Sequence, residues 1–440
     1  MSTKTKRYSA GKGLIWLFIF LALSLLPLLA AYSGDIPPKR TLLEELGVVL
    51  GFIGLGLFGI QFLFSGRIKQ VAPSFGVDNI VQFHKEIGIV AIIFVLSHPI
   101  LLLVADWEYI SFYDPRENLP RAAALVFATF GMITLLYTSL WRVSTGLNYE
   151  WWRLIHGVLG FSLVFIGIVH SIQVGHYLNE FYKIAFFIIF FGSLIYLLVH
   201  TRLVRPYMAK KDPFIIKEIL PQKDDCYTLR LEKKSTEPFR FLPGQFTWIT
   251  ISHTPFSLQQ HPFSFSSSAE KGVLEITAKR IGDFTNTWKY LQPGQTAYLE
   301  GPFGSFTLKE KPCFLVMGGI GVTPGISFLK TLADRKDQRK CILIYGNERW
   351  KKIPFREELE RLKNQINLEL IHVLEKPDKD WDGEKGLIDE KLVTKYLPED
   401  LNEFDYYICG PGQMMDNAEL TFRKKGVDWR NIYAERFDFV

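Results

Sequence analysis

Four histidines carry the most specific chemistry in this 440-residue chain: His84 and His98 in one apolar region, His156 and His170 in another, each pair fourteen residues apart. Fourteen residues at 3.6 per turn make nearly four full turns, so on a helix both members of a pair share one face, about 21 Å apart along the axis. Two like-oriented helices that each present two imidazoles on one face can hold two planar metal macrocycles between them. Bis-histidine haem of the b type is the expected cofactor, with His84 and His156 on one iron and His98 and His170 on the other. A single such histidine is as often a hydrogen-bonded core residue. The repeat of the same offset on a second segment is what favours ligation. His176 and His200 have no partner at that offset and read as interfacial histidines, with His176 a candidate to shape an acceptor site.

The elements that must position these imidazoles are apolar runs. Residues 13–34, 46–66, 87–105, 122–141, 154–179 and 184–201 contain no charged side chain. Each is about long enough to cross a 30 Å hydrocarbon core as a helix. Six transmembrane helices are therefore expected in the first 205 residues, the first of them an uncleaved helix rather than a signal peptide on account of its length. Basic residues crowd one set of ends (Lys4, Lys6, Arg7, Lys12, Arg67, Lys69, Lys85, Arg142, Arg153 and those after 201). Fewer mark the other, namely Lys39, Arg40, Arg116, Arg121 and Lys183. The bias of Lys and Arg places the N-terminus and everything after residue 201 in the cytoplasm. Arg142, Arg153 and Trp151 cluster at that inner face, as haem-propionate partners or as interface anchors.

Composition narrows the class further. Lys+Arg 51 against Asp+Glu 45 leaves a net charge of +6, too balanced for a nucleic-acid binder. A hydrophobic fraction of 48% excludes a disordered chain. Cys226, Cys313, Cys341 and Cys409 all fall in the later half at spacings that suit neither a zinc site nor a disulfide framework, so they read as reduced cytosolic thiols.

After Arg205 the pattern changes to short β-rich runs at 214–219, 227–231, 246–251, 274–278 and 297–299, the spacing of a small antiparallel barrel. From Cys313 onward apolar strands (314–317, 342–345, 368–373, 406–409) alternate with charged helical segments (326–335, 355–367), a doubly wound nucleotide-binding pattern. The expected fold is a multidomain membrane protein. It has a six-helix transmembrane haem bundle over 1–205, an antiparallel β-barrel FAD domain over 206–310 and an α/β NAD(P)-binding domain over 311–440. The segment Gly318-Gly319-Ile320-Gly321-Val322-Thr323-Pro324 follows a strand and opens a helix. There glycines let the chain approach a pyrophosphate and the helix start adds positive potential.

Several short motifs now resemble a known family. His261-Pro262-Phe263-Ser264 resembles the flavin-binding signature of the ferredoxin–NADP reductase superfamily, in the form found in NADPH oxidases and ferric reductases. Gly282-Asp283-Phe284-Thr285 is similar to its second flavin segment, and Gly319, Gly321, Thr323 and Pro324 fit its dinucleotide loop. Cys409-Gly410-Pro411 is similar to its Cys-Gly-Pro segment, and Glu435-Arg436-Phe437 to its acidic residue, spacer and aromatic near the C-terminus. The resemblance implies that Ser264 meets the flavin N5 edge while Phe263 packs the ring. It implies that free backbone N–H groups near Gly282 and Thr285 hold the flavin pyrophosphate, and that Cys409 lies close to the nicotinamide. Phe437 would cover the flavin, with Phe439 as the fallback.

With the paired histidines, the order of motifs resembles transmembrane NADPH oxidases and ferric reductases of bacterial type. That implies an inner-membrane oxidoreductase moving electrons from cytosolic NADPH or NADH through FAD and two haems to an outer acceptor, dioxygen or a ferric chelate. Both offsets of fourteen resemble the ferric reductase spacing. Gly346-Asn347-Glu348-Arg349 leaves the coenzyme open: Glu348 suits the ribose hydroxyl of NADH, and Arg349, Lys351 or Lys352 the phosphate of NADPH. Two other readings stand beside this one. One is a haem-binding membrane subunit that supplies electrons to a partner periplasmic oxidoreductase, as in the haem-binding partners of methionine sulfoxide reductases. The other is a flavoprotein anchored by helices without haem.

Overall fold

The computed structural model describes residues 10–65, 77–235 and 237–436. Among these, six helices are long and apolar enough to cross a membrane. They are α1 (Ala10–Ala31), α2 (Leu42–Ser65), α3 (Val77–Ala105), α4 (Leu119–Leu140), α5 (Tyr149–Val174) and α6 (Phe181–Val199). Local sequence sets their ends: Asn118 caps α4 by accepting from the Arg121 N–H, and Gly175 closes α5 in the left-handed region at φ 64°. Helix α3 begins well before the charge-free run that marks it, and so carries His84 as well as His98.

Side chains such as Phe18, Phe130 and Ile189 point outward from these helices, an arrangement suited to lipid, where every backbone group must bond within its own helix. Helix α2 is the exception. Two thirds of its apolar window is buried, and glycines line its contacts. A Cβ at Gly56 would collide with the Ser24 carbonyl of α1, at Gly54 with Val95 of α3 at 2.6 Å, and at Gly59 with Phe191 of α6 at 2.8 Å. Small residues let backbones approach where no hydrophobic effect drives helices together. Lys183, counted above among the cations at helix ends, stands in the first turn of α6 and is fully buried there, its ammonium donating to the Asp35 carbonyl at 3.0 Å and the Asn179 amide oxygen at 3.1 Å.

The helices up to Arg205 form one compact unit and the chain from Pro206 onward another. After the short α7 (Arg205–Lys210), the second unit opens with β1 (Phe214–Pro221), β2 (Cys226–Lys233), β3 (Phe246–Ile251), β4 (His261–Ser264), β5 (Leu274–Lys279) and β6 (Thr296–Phe303). They form an antiparallel sheet in the order β4-β3-β6-β1-β2-β5, and a bridge between Phe265 and Ile276 draws its edges together. The short α8 (Asp283–Asn286) lies between β5 and β6. Leu229, Ile249, Phe265, Ile276 and Trp288 fill the interior.

A parallel sheet follows. Its core strands are β7 (Cys313–Gly318), β8 (Cys341–Asn347), β9 (Leu368–Leu374) and β11 (Asp405–Cys409), edged by β10 (Glu384–Lys385) and β12 (Ile432–Ala434), in the order β10-β9-β8-β7-β11-β12. Helices α9 (Thr323–Arg335), α10 (Arg356–Lys363), α11 (Glu390–Tyr396) and α12 (Gly412–Lys425) connect the strands. Strands buried on both faces, such as Cys313–Gly318 with every residue inside, are what such coverage demands.

Candidate functional site

In the helical unit the four histidines come together in two facing pairs. The ring centroids of His84 and His156 are 6.1 Å apart, and those of His98 and His170 are 6.3 Å apart. One metal ion shared by two facing imidazoles, with a bond of about 2.0 Å to each and roughly 1.1 Å from ring nitrogen to ring centre, would need ring centres roughly 6.2 Å apart. The separations of both pairs would fit a metal ion held between them.

Partners on neighbouring helices set the tautomers. His98 Nδ1 lies 3.0 Å from the Gly47 carbonyl, which can only accept, so Nδ1 carries the proton and Nε2 keeps its lone pair. Ser139 Oγ donates to the Leu135 carbonyl at 2.6 Å and is thereby left to accept from His156 Nδ1 at 3.2 Å. Outer partners of this kind orient metal-binding imidazoles and raise their basicity. One turn beyond His84 and His156 stand Gly88 and Gly160, where an added Cβ would meet nothing closer than 3.9 Å. Those faces leave room for a flat ring.

The His98–His170 pair lines a largely apolar cavity with Gly51, Leu55, Met132 and Leu163, and Arg40, Tyr109, His176 and Tyr177 line it too. The Tyr177 hydroxyl donates to Glu45, as does that of Tyr32 at 2.6 Å, while Tyr109 donates to Glu44 at 2.7 Å. Burial, and then the charge of Arg40, lower the pKa of His176, whose Nε2 is buried without a hydrogen-bond partner among the described residues. Beyond the histidine pair itself the sequence signalled His176 for this site and Arg40 only as a basic residue at a helix end, since nothing in the local period marks Tyr109 or Tyr177. Arg142 and Arg153 stack on Tyr149 at 5.5 and 5.6 Å, Trp151 is exposed, and His200 packs on Tyr196 at 5.9 Å.

In the second unit β4 carries the flavin signature. His261 stacks on Phe284 at 4.5 Å, Phe263 packs against Phe284 and Trp288, and Pro262 is buried opposite Trp248 on β3. Ser264 is 4% exposed, and its hydroxyl has no hydrogen-bond partner among the described residues. A buried hydroxyl is rarely left unpaired in a finished interior, so its orphan state fits a ligand atom such as flavin N5. At the second flavin segment the Ile281 and Gly282 amides both donate to Thr285 Oγ1, at 3.1 and 3.2 Å, so these two are engaged within the turn.

The dinucleotide loop leaves β7, passes through a 3-10 turn at Gly319–Val322 and enters α9 with Pro324 in its first turn. Gly319 takes φ +52° with open space around its missing Cβ, and Thr323 Oγ1 donates to the Ile320 carbonyl at 3.1 Å. A Cβ at Gly321 would lie 2.7 Å from the Cys409 carbonyl and from Gly410 Cα, and one at Gly318 would lie 2.7 Å from Pro411. The two motifs therefore meet backbone to backbone, with Cys409 opposite Met317 in the parallel register. Glu348, just past β8, is held by Lys352 at 2.9 Å and Lys376 at 3.3 Å, which together lower its pKa to about 2. Glu435 is buried, with its carboxylate oxygen 3.0 Å from where a Gly304 Cβ would stand; Phe437 and Phe439 lie outside the described residues.

Comparison with known proteins divides the chain in the same way. Residues 50–167 match the ferric reductase like transmembrane component family, 213–305 an FAD-binding domain and 315–419 the oxidoreductase NAD-binding domain. The chain is similar to the toluate 1,2-dioxygenase electron transfer component of Pseudomonas putida, 28% identical over 231 residues that cover 50% of this chain and 66% of that protein. It is also similar to NADH-cytochrome b5 reductase 2 of Chaetomium globosum, 32% identical over 33% of this chain and 44% of that protein. Among solved structures, a ferredoxin reductase of carbazole 1,9a-dioxygenase aligns at a TM-score of 0.46 and 23% identity over 51% of this chain and 68% of that one.

Proposed function

We infer, from a chain that has the flavocytochrome b and NADPH oxidase-like architecture of a ferric-reductase-like membrane component joined to FAD- and NAD-binding domains, that it is a transmembrane electron-transfer oxidoreductase. Its electrons come from cytosolic NAD(P)H and reach an outer acceptor, dioxygen or a ferric chelate, by way of FAD and two bis-histidine haems. The observation that carries this reading is the pair of facing imidazole pairs at 6.1 and 6.3 Å. A flavin held here would supply the link between the two-electron hydride chemistry of a nicotinamide and the one-electron chemistry of haem.

The chain's own residues would do the rest. Ser264 offers its unpaired hydroxyl to the flavin N5 edge. Gly319, Gly321 and Thr323 bring the backbone to the coenzyme pyrophosphate, and Gly410 and Pro411 pack the Cys409 strand end against that loop. His84 and His156 would hold the inner haem, His98 and His170 the outer one. With a lowered pKa, His176 is neutral at pH 7 and adds a hydrogen-bonding nitrogen to the cavity that Arg40 gives a fixed cation, which suits superoxide or an anionic ferric chelate. Domain limits at 205 and 310, and a cytoplasmic reductase half beneath a bacterial inner membrane, belong to the same reading.

The experiment is a spectrum of the detergent-purified full chain with FAD and NADH or NADPH, first without air and then with air or ferric chelate. The reading expects low-spin haem that reduces anaerobically and is reoxidised by one of the two acceptors, with superoxide formed if dioxygen is that acceptor. Absence of haem absorption would sink it.

A further inference from the structure

We propose that Gln61 is the hydrogen-bond acceptor that orients His84 for iron, a positioning residue for the inner haem; the proposal rests on the two-haem reading above. Gln61 stands in the apolar helix α2, is 8% exposed, and neither its Oε1 nor its Nε2 has a hydrogen-bond partner among the described residues. An unpaired buried amide in such an apolar helix is expensive and implies a partner. His84 Nδ1 is buried and unpartnered in the same way.

The helix register joins these two needs. Helices α2 and α3 run antiparallel: Gly47 meets Leu101, Gly51 meets His98, Gly54 meets Val95, and the Gln61 amide lies 3.9 Å from where a Gly88 Cβ would stand. On this seam the Gly47 carbonyl accepts from His98 Nδ1. Moving fourteen residues along α2 from Gly47 arrives at Gln61, and moving fourteen residues back along α3 from His98 arrives at His84. Both steps rise about 21 Å in the same direction, so Gln61 stands to His84 as Gly47 stands to His98.

At the Gly47 level the acceptor is a main-chain carbonyl. At the Gln61 level it is a side-chain carbonyl, which reaches His84 by a change of rotamer from its place beside Gly88, one turn away. Accepting the Nδ1 proton fixes His84 with Nε2 toward iron and makes the imidazole a better electron donor, which favours the ferric state. Each of three histidines then has an acceptor drawn from a neighbouring helix: Gly47 for His98, Ser139 for His156 and Gln61 for His84.

The test compares Gln61→Leu and Gln61→Glu with the parent in the full-length, detergent-solubilised chain, reading haem per polypeptide and the midpoint potential of each haem. Loss of the acceptor in Gln61→Leu is expected to change the reduction equilibrium of one haem about tenfold toward the reduced form, 59 mV for a one-electron couple, and to leave the other haem alone. Gln61→Glu keeps an acceptor and is expected to hold or lower that potential. If Gln61→Leu instead loses one haem while Gln61→Glu keeps both, the acceptor role is again supported. Parent potentials in both variants, or the same haem lost from both, would reduce Gln61 to packing and overturn the proposal. A parent protein without low-spin haem fails the two-haem reading itself and takes this inference with it.

Discussion

Replacing Ser264 with alanine should move stability and activity in opposite directions. The hydroxyl sits at the end of β4 with 4% exposure and no partner among the described residues, so the ligand-free chain bears the cost of desolvating it without a compensating bond. That cost is about 1–3 kcal/mol, and removing the oxygen leaves a void smaller than a methyl group, so a net gain of about 1 kcal/mol is expected. For a unit of this size it corresponds to a melting temperature about 2–4 °C higher. With FAD bound the sign reverses. A hydrogen bond worth about 1.4–2.8 kcal/mol at the hydride-accepting edge is lost, and flavin reduction by NAD(P)H should slow roughly tenfold to a hundredfold. Tryptophan fluorescence on heating the full chain, with and without FAD, reads the first quantity, and anaerobic stopped-flow bleaching of the flavin reads the second. A lower melting temperature for the FAD-free variant, or an unchanged rate of bleaching, would refute the assignment of that hydroxyl to the flavin.

On the two-haem reading, His98→Ala should drop haem content from two per chain to one and abolish reduction of an external acceptor, with flavin reduction by NAD(P)H intact; a parental rate of acceptor reduction would exclude the two-haem route. Glu348→Ala removes the carboxylate that now engages Lys352 and Lys376, freeing two cations for a 2′-phosphate. The ratio of kcat/KM for NADPH over NADH should rise roughly tenfold, and a constant ratio would show that this corner does not read the ribose. His372 on β9 is depressed from 6.5 to about 4 by burial and then by Arg356 and Lys363. Its contribution to stability is therefore full above pH 6.5 and lost as pH falls toward 4, up to about 3 kcal/mol. His372→Phe should flatten that stretch of the stability–pH curve, and an unchanged acid slope in denaturant titrations would place the loss elsewhere.

The histidine pairs were legible because a fourteen-residue offset is a statement about one helix, and a helix is fixed by its own period. What lies across a helix–helix seam was not. The Gly47 carbonyl that meets His98 has no side chain to announce it, and Ser139 looks like any small polar residue in an apolar run. Gln61 is a lone amide among apolar residues that the sequence reading passed over, and only the antiparallel register of α2 against α3 gives it a meaning. The burial of Lys183 was hidden for a related reason: a basic residue at a helix end usually reaches water, but here a carbonyl from another segment accepts from it. In the reductase half the strands were read nearly whole from their β-branched and aromatic runs. Helices α11 and α12 went unread, although Asp389 caps the first and Gly426 closes the second.

The face of α9 explains how two binding motifs from separate sheets come to act together. Ser327, Lys330, Thr331 and Arg335 recur at helical spacing on one side, and that side meets the β-barrel. Ser327 Oγ donates to the Ser267 carbonyl at 2.8 Å, Thr331 Oγ1 accepts from the Ala269 N–H at 3.0 Å, and Lys330 pairs with Glu275 at 2.8 Å. Ser327 and Thr331 are fully buried, so an apolar interface has been replaced by hydrogen bonds with fixed partners. Apolar packing tolerates a small slide, whereas a buried hydroxyl that loses its acceptor is costly, so this contact specifies position as well as affinity. One end of α9 is the Gly319–Val322 turn, and Ser267 lies three residues beyond Ser264 on the barrel chain. A rotation of α9 by one residue, about 100°, would break all three contacts at once. The Gly319–Val322 loop and the Ser264 hydroxyl are thereby held in one frame, and on the proposed reading this short polar seam is what would fix the coenzyme against the flavin.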